Sequence, residues 1–146
     1  MSREATVLLV DDDEIDCETV QRSFRKHQLS NPITIAQDGV EALQILRTTE
    51  NGVRRPYLIL LDLNMPRMSG LEFLGELRKD DTLHDSIVFV LTTSDAERDK
   101  RAAYSYHVAG YMVKSNLGDG FADLARVIEQ YTHAVEFPPE RKVTPS

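Results

Sequence analysis

Chemistry in this 146-residue chain stands at the ends of short apolar runs: Asp11 and Asp12 follow Val10, Asp62 follows Leu61, Thr92 follows Leu91, and Lys114 follows Val113. Carboxylates brought together repel one another, so at neutral pH they share a proton or are neutralised by a cation. An all-oxygen donor set selects a hard ion. Magnesium fits, because it prefers octahedral oxygen ligands, keeps several waters and is commonly completed by phosphate oxygens. Carboxylates, a metal and an ammonium on one edge point to phosphoryl transfer, with Asp62 attacking in line as a carboxylate nucleophile and the cations neutralising the transferring group.

These residues converge only if the runs that carry them are neighbouring strands. Ala5 to Val10, Tyr57 to Leu61 and Ile87 to Leu91 are apolar without alternation, the pattern of a strand buried on both faces, and shorter runs occur at Ile33 to Ile35 and Tyr111 to Val113. Between them the period becomes helical: Cys17, Val20 and Phe24 share a face, as do Val40, Leu43 and Leu46, and then Leu71, Leu74 and Leu77. A weaker stripe of Ala102, Ala103 and Tyr106 marks a fourth helix over 95–106, and Phe121, Leu124, Ala125, Ile128 and Tyr131 mark a fifth. Alternating strands and helices predict an α/β, doubly wound, five-stranded parallel sheet with helices on both faces. Ligands of such sheets bind beyond the carboxyl ends of the strands, where Asp11, Asp12, Asp62, Thr92 and Lys114 stand.

Composition narrows the function. The formal charge of −7, with Lys and Arg scattered, disfavours nucleic acid. No apolar run approaches the roughly 20 residues that span a bilayer, and the opening Met1-Ser2-Arg3-Glu4 lacks an apolar signal region, so a cytoplasmic protein off the membrane is expected. The single cysteine, Cys17, excludes an internal disulfide framework and a cysteine-rich zinc site, and reads as a core residue. The length suits one domain, 1–133, with a C-terminal extension over 134–146.

From about Ala5 to Tyr131 the chain resembles the response-regulator receiver domain, on five positions in order: Asp11-Asp12; Asp62 within Leu-Asp-Leu-Asn-Met-Pro-Arg-Met-Ser-Gly; Thr92; Tyr111 within Gly110-Tyr111-Met112-Val113; and Lys114. The resemblance implies that Asp62 is the phosphoacceptor, that Asp12, Asp62 and the backbone carbonyl of Asn64 hold Mg2+ directly, and that Asp11 acts through water. It implies that Thr92 and Lys114 read the phosphoryl group, after which Tyr111 turns inward and reshapes the face around the fourth and fifth strands. It further implies a flavodoxin-like fold, a sensor histidine kinase as donor, and no enzymatic activity beyond self-phosphorylation and slow self-dephosphorylation. Where the family has a cis-proline after the lysine this chain has Ser115, which leaves that bond's isomer open. Leu91-Thr92-Thr93-Ser94, Lys114-Ser115 and the tail with Phe137-Pro138-Pro139 resemble the single-domain regulators associated with bacterial phytochromes.

Plainer readings exist for each residue. Asp13 and Glu14 suit a helix cap, Asp38-Gly39 a turn and cap, and His27, His84, His107 and His133 surface positions without metal spacing. The series Asp12, Glu14, Asp16, Glu18 is not a calcium loop, because Cys17 and Ser23 replace the required glycine and glutamate. A haloacid-dehalogenase-like phosphatase would use Asp11 as nucleophile, but the chain lacks a cap segment. A receiver-shaped docking protein that is never phosphorylated would not need Asp62, Thr92 and Lys114 together.

About fifteen residues follow Tyr131, so output is expected through a downstream partner protein rather than an attached effector domain. Val135 and Phe137 alternate ahead of Pro138-Pro139, an extended apolar segment with no evident place in its own core. Twofold pairing would bury it, so a homodimer through Val135, Phe137 and the last helix is expected.

Overall fold

Leucine-rich and β-branched runs form the strands where expected. The computed structural model describes residues 4–48 and 53–140, and in it β1 (Thr6–Val10), β2 (Ile33–Ala36), β3 (Tyr57–Leu61), β4 (Ile87–Thr92) and β5 (Gly110–Val113) alternate with α1 (Glu14–Lys26), α2 (Gly39–Arg47), α3 (Gly70–Lys79), α4 (Glu97–Ser105) and α5 (Ala122–Ala134). The strands form one parallel sheet in the order β2-β1-β3-β4-β5, the flavodoxin-like order expected. The chain moves outward from β1 to β2 and then crosses back to β3. That reversal lies between β1 and β3, whose last residues, Val10 and Leu61, are register partners.

Successive strand residues face opposite sides of a sheet, so the two cores divide cleanly. Leu8, Val10, Ile59, Leu61, Val88 and Val90 pack with residues of α2, α3 and α4; Val7, Leu9, Leu58, Leu60, Phe89 and Leu91 pack with α1 and α5, Cys17 among them. The helix faces differ from the sequence stripes in detail. Ala42 rather than Val40 completes the buried face of α2, and Phe73 rather than Leu71 that of α3. In α4 only Ala103 is buried, and the helix begins at Glu97, with no side-chain cap.

One arginine ties the far end of the sheet together. Arg78 on α3 donates from Nη1 to the carbonyls of His84 and Ser86 at 2.7 Å each, from Nε to Tyr106 O at 2.7 Å and from Nη2 to His107 O at 3.1 Å. These carbonyls belong to the segments leading into β4 and β5.

The tail departs from expectation. Phe137 does find a place in its own domain, where its ring meets Tyr131 edge-on at 5.9 Å, and Tyr131 in turn meets Phe89 of β4 edge-on at 4.9 Å. Arg55 Nη1 holds Pro139 O at 3.1 Å. The reason is geometric: Tyr131, at the end of the α5 stripe, packs over Phe89 and leaves a ring edge for Phe137 to cover. Val135 stays 38% exposed. The expected extension continues over 141–146, which lies outside the described residues.

Candidate functional site

Pairing of β1 with β3 brings the first two carboxylates together. Asp62 N donates to Val10 O at 2.9 Å, which continues the ladder one step past the strands and sets Asp62 beside Asp11. Asp11 is buried, and its Oδ1 accepts from Asp13 N at 2.9 Å. Asp13 caps α1 by accepting from Asp16 N at 3.0 Å, as its type and position suggest. Asp62 is buried too, with Oδ1 accepting from Asn64 N at 3.3 Å. Asp12 is exposed at the rim.

Lys114, just past β5, reaches across β4 and β3 into this group. Its buried Nζ donates to Asp16 Oδ2 at 2.7 Å, Asp11 Oδ2 at 2.9 Å and Asp62 Oδ2 at 3.4 Å. Burial alone would lower the ammonium's pKa, but hydrogen bonds to Asp16 and Asp11, with the charges of Asp11 and Asp62, raise it instead, so Lys114 is charged. Burial pushes Asp11 up to about 6, against the opposing hydrogen bond from Lys114.

Asp11, Asp12 and Asp62 each offer an oxygen, all within 4.8 Å of one another. Against these and Asp16 the site sets the single ammonium of Lys114. An excess of clustered carboxylate oxygens is the donor set of a hard divalent cation, so the residues fit one.

The loop after Asp62 is pinned at both ends. At Gly70 a Cβ would stand 2.4 Å from Asp62 O and 2.7 Å from Leu63 Cα, so only glycine permits this approach. Ser69 and Glu72 form a capping box on α3. Arg67, at φ 63°, donates from Nε to Asp38 Oδ2 at 2.7 Å, and Asp38 caps α2 by accepting from Glu41 N at 2.9 Å.

Thr92 is fully buried and its Oγ1 accepts weakly from Ser94 N at 3.4 Å. Its register partner is Val113, so Thr92 and Lys114 stand on adjacent strand ends. Tyr111 is half-buried and donates from Oη to Ser94 O at 2.9 Å, while Ser94 Oγ donates to Asp99 Oδ2 at 2.5 Å. The Lys114-Ser115 bond is trans; among the described residues the cis bond is Arg55-Pro56.

Asp11, Asp12, Asp62 and Lys114 thus meet, with Asn64, Thr92 and Tyr111 on the adjoining strand ends and loops, whereas Val135 and Phe137 lie near Ala5 and Pro56 at the opposite end of the sheet. Two contacts escaped sequence reasoning. In the sequence Asp16 stands out only within the rejected calcium-like series, although a carboxylate three residues past a helix cap is placed to turn back on the strand end. Arg67 carried no signal, because its pairing depends on a left-handed backbone. Of the histidines expected at the surface, His27 is half-buried, with Nδ1 3.0 Å from Ser23 O; the other three are exposed.

Residues 7–125 match the family model described as the response regulator receiver domain. Response regulator Rcp1 of Synechocystis sp. is 37% identical over 136 residues, 90% of this chain and 92% of that protein. The Mn2+-bound structure of Rcp1 superposes with a TM-score of 0.80 at 34% identity, covering 92% of this chain and 99% of the other. The phosphorylated cyanobacterial phytochrome response regulator RcpA superposes with a TM-score of 0.82 at 32% identity, covering 94% of this chain and all of the other.

Proposed function

The chain belongs to the response regulator receiver domain family, and on that premise we propose that it takes a phosphoryl group from a sensor histidine kinase onto Asp62 and passes the signal to a partner protein by a change of shape. The observation that carries this reading is Asp62 itself: a buried carboxylate with Asp11 and Asp12 within 4.8 Å and the Lys114 ammonium at 3.4 Å.

In this mechanism an Asp62 oxygen attacks phosphorus in line. The O–P bond forms as the N–P bond of the phosphohistidine breaks, and the electron pair leaves on the imidazole nitrogen. Asp11, Asp12, Asp62 and the Asn64 carbonyl would hold Mg2+, which supplies charge neutralisation for the phosphoryl oxygens. Lys114 contributes the second cation. The Thr92 hydroxyl, held only by a long contact to Ser94 N, is free to turn to a phosphoryl oxygen. Space vacated by Thr92 lets Tyr111 move, and the lightly packed α4 is the element that responds. The chain acts as a phosphoacceptor rather than an enzyme with turnover.

The kinship with Rcp1 and RcpA supports a bacteriophytochrome as the donor. In this reading the donor and the partner are met in the cytoplasm. Among the described residues no helix is long and apolar enough to cross a membrane. A homodimer through Val135, Phe137 and α5 remains part of the proposal, with Val135 the exposed member; truncation after His133 should give a monomer by sedimentation.

Incubation with radiolabelled acetyl phosphate and with a panel of phosphorylated histidine kinases, one of them light-sensing, tests the central reading. Base-labile, hydroxylamine-cleavable label on the wild type and none on Asp62→Asn is expected; equal labelling of the variant would overturn the assignment, and label shifted to Asp11 would favour the phosphatase-like alternative.

A further inference from the structure

The Lys114 ammonium has three donors and spends them unequally. Its shortest contact, 2.7 Å, goes to Asp16 on α1, and its longest, 3.4 Å, to Asp62. Resting on the reading above, we propose that Asp16 is a positioning residue that draws Lys114 toward α1 and sets how readily the ammonium is released to a phosphoryl group on Asp62.

The partners differ in what their loss would cost. The side chains of Asp11 and Asp62 are 2% and 9% exposed, so either one left without its cation would be an uncompensated buried charge. Asp16 is 24% exposed and stands in the first turn of α1, where water and the helix's positive end support a lone carboxylate. When a phosphoryl oxygen claims a share of the ammonium, Asp16 is therefore the partner that yields. Until then it competes, and its charge also opposes the incoming anion. A side chain outside the metal-binding trio thus governs the balance between the free and the phosphoryl-bound site.

The test titrates beryllofluoride, which occupies the phosphoryl position, at saturating Mg2+ into wild type, Asp16→Asn and Asp13→Asn. Asp13→Asn keeps the helix cap but removes a neighbouring charge that does not touch Lys114. Asp16→Asn should bind beryllofluoride about five- to tenfold tighter, the loss of one charge-assisted competitor partly offset by solvent, and Asp13→Asn should stay within about twofold of wild type. In the ligand-free protein the Lys114 ammonium resonance, observed by nitrogen-15 NMR, should be sharp in wild type and broadened in Asp16→Asn. Unchanged or weaker binding by Asp16→Asn, or an equal gain in Asp13→Asn, would overturn the proposal. Failure of the wild type to bind beryllofluoride would instead strike at the phosphoacceptor reading.

Discussion

The carbonyl oxygen of Asp62 and the α-carbon of Gly70 approach so closely that a methyl group on the latter would sit 2.4 Å from the former. The backbone at Asp62 and the first turn of α3 are therefore one packed unit, further joined by Gly70 N donating to Leu63 O at 3.0 Å. Gly70→Ala forces backbone apart rather than a flexible side-chain tip, and overpacking of this kind costs about 1–3 kcal/mol or more. Urea unfolding should show a loss in that range, together with slower labelling by acetyl phosphate. A variant with wild-type stability and labelling rate would show that the loop shifts freely.

Lys114 neutralises carboxylates that its removal would leave exposed to one another. Lys114→Met should lower stability by about 3 kcal/mol when no divalent ion is present, the scale for breaking a buried ion pair. Added Mg2+ then has more repulsion to relieve, so the melting temperature of the variant should rise more with Mg2+ than that of the wild type. Equal rises would mean that Lys114 and the cation do not act on the same charges.

Acid should dissolve the Arg67–Asp38 pair. Burial alone would raise the pKa of Asp38, but hydrogen bonds from Glu41 N and Arg67, with the charge of Arg67, bring it below the ordinary 3.8. A carboxylate depressed in the folded state stabilises above its unfolded value, and that contribution fades as the pH falls through the lower folded value. Arg67→Ala should therefore cost about 1 kcal/mol at pH 7, and the gap to wild type should close below pH 3.8. A gap independent of pH would assign the arginine's effect to packing alone.

The ring contact of Phe137 with Tyr131 gives the tail a stake in the stability of a single chain. Phe137→Ala should cost about 1–2 kcal/mol, less than a fully buried phenylalanine because the ring is half covered. The main part of that loss, from the contact with Tyr131, should be independent of protein concentration in urea unfolding. A loss that grows with protein concentration would place the ring's main contact in a neighbouring copy.

The sheet was legible because buried parallel strands are written as uninterrupted apolar runs, and Tyr57–Leu61 matches its run residue for residue. The site followed in part, since residues one step past the paired β1 and β3 must meet, as Asp11 and Asp62 do; Lys114 joins them by the reach of its side chain across β4. What stayed hidden depends on contacts that no period encodes. Small residues such as Gly39 and Ala42 bury without an apolar signal, which displaced the face of α2 from the one drawn through Val40. The cover of the tail was hidden for a similar reason: the alternation of Val135 and Phe137 records that an apolar ring needs cover, but not that Tyr131 of the same chain supplies part of it.

Arg78 makes the sheet a cantilever. Its four hydrogen bonds fix the roots of β4 and β5 to α3, while Thr92 and Lys114 stand at the free ends of the same two strands. Displacement begun at those tips cannot be relieved by sliding the strands bodily, because their roots are held. It must spend itself as bending and sideways travel near the tips, where α4 offers only Ala103 as a buried anchor.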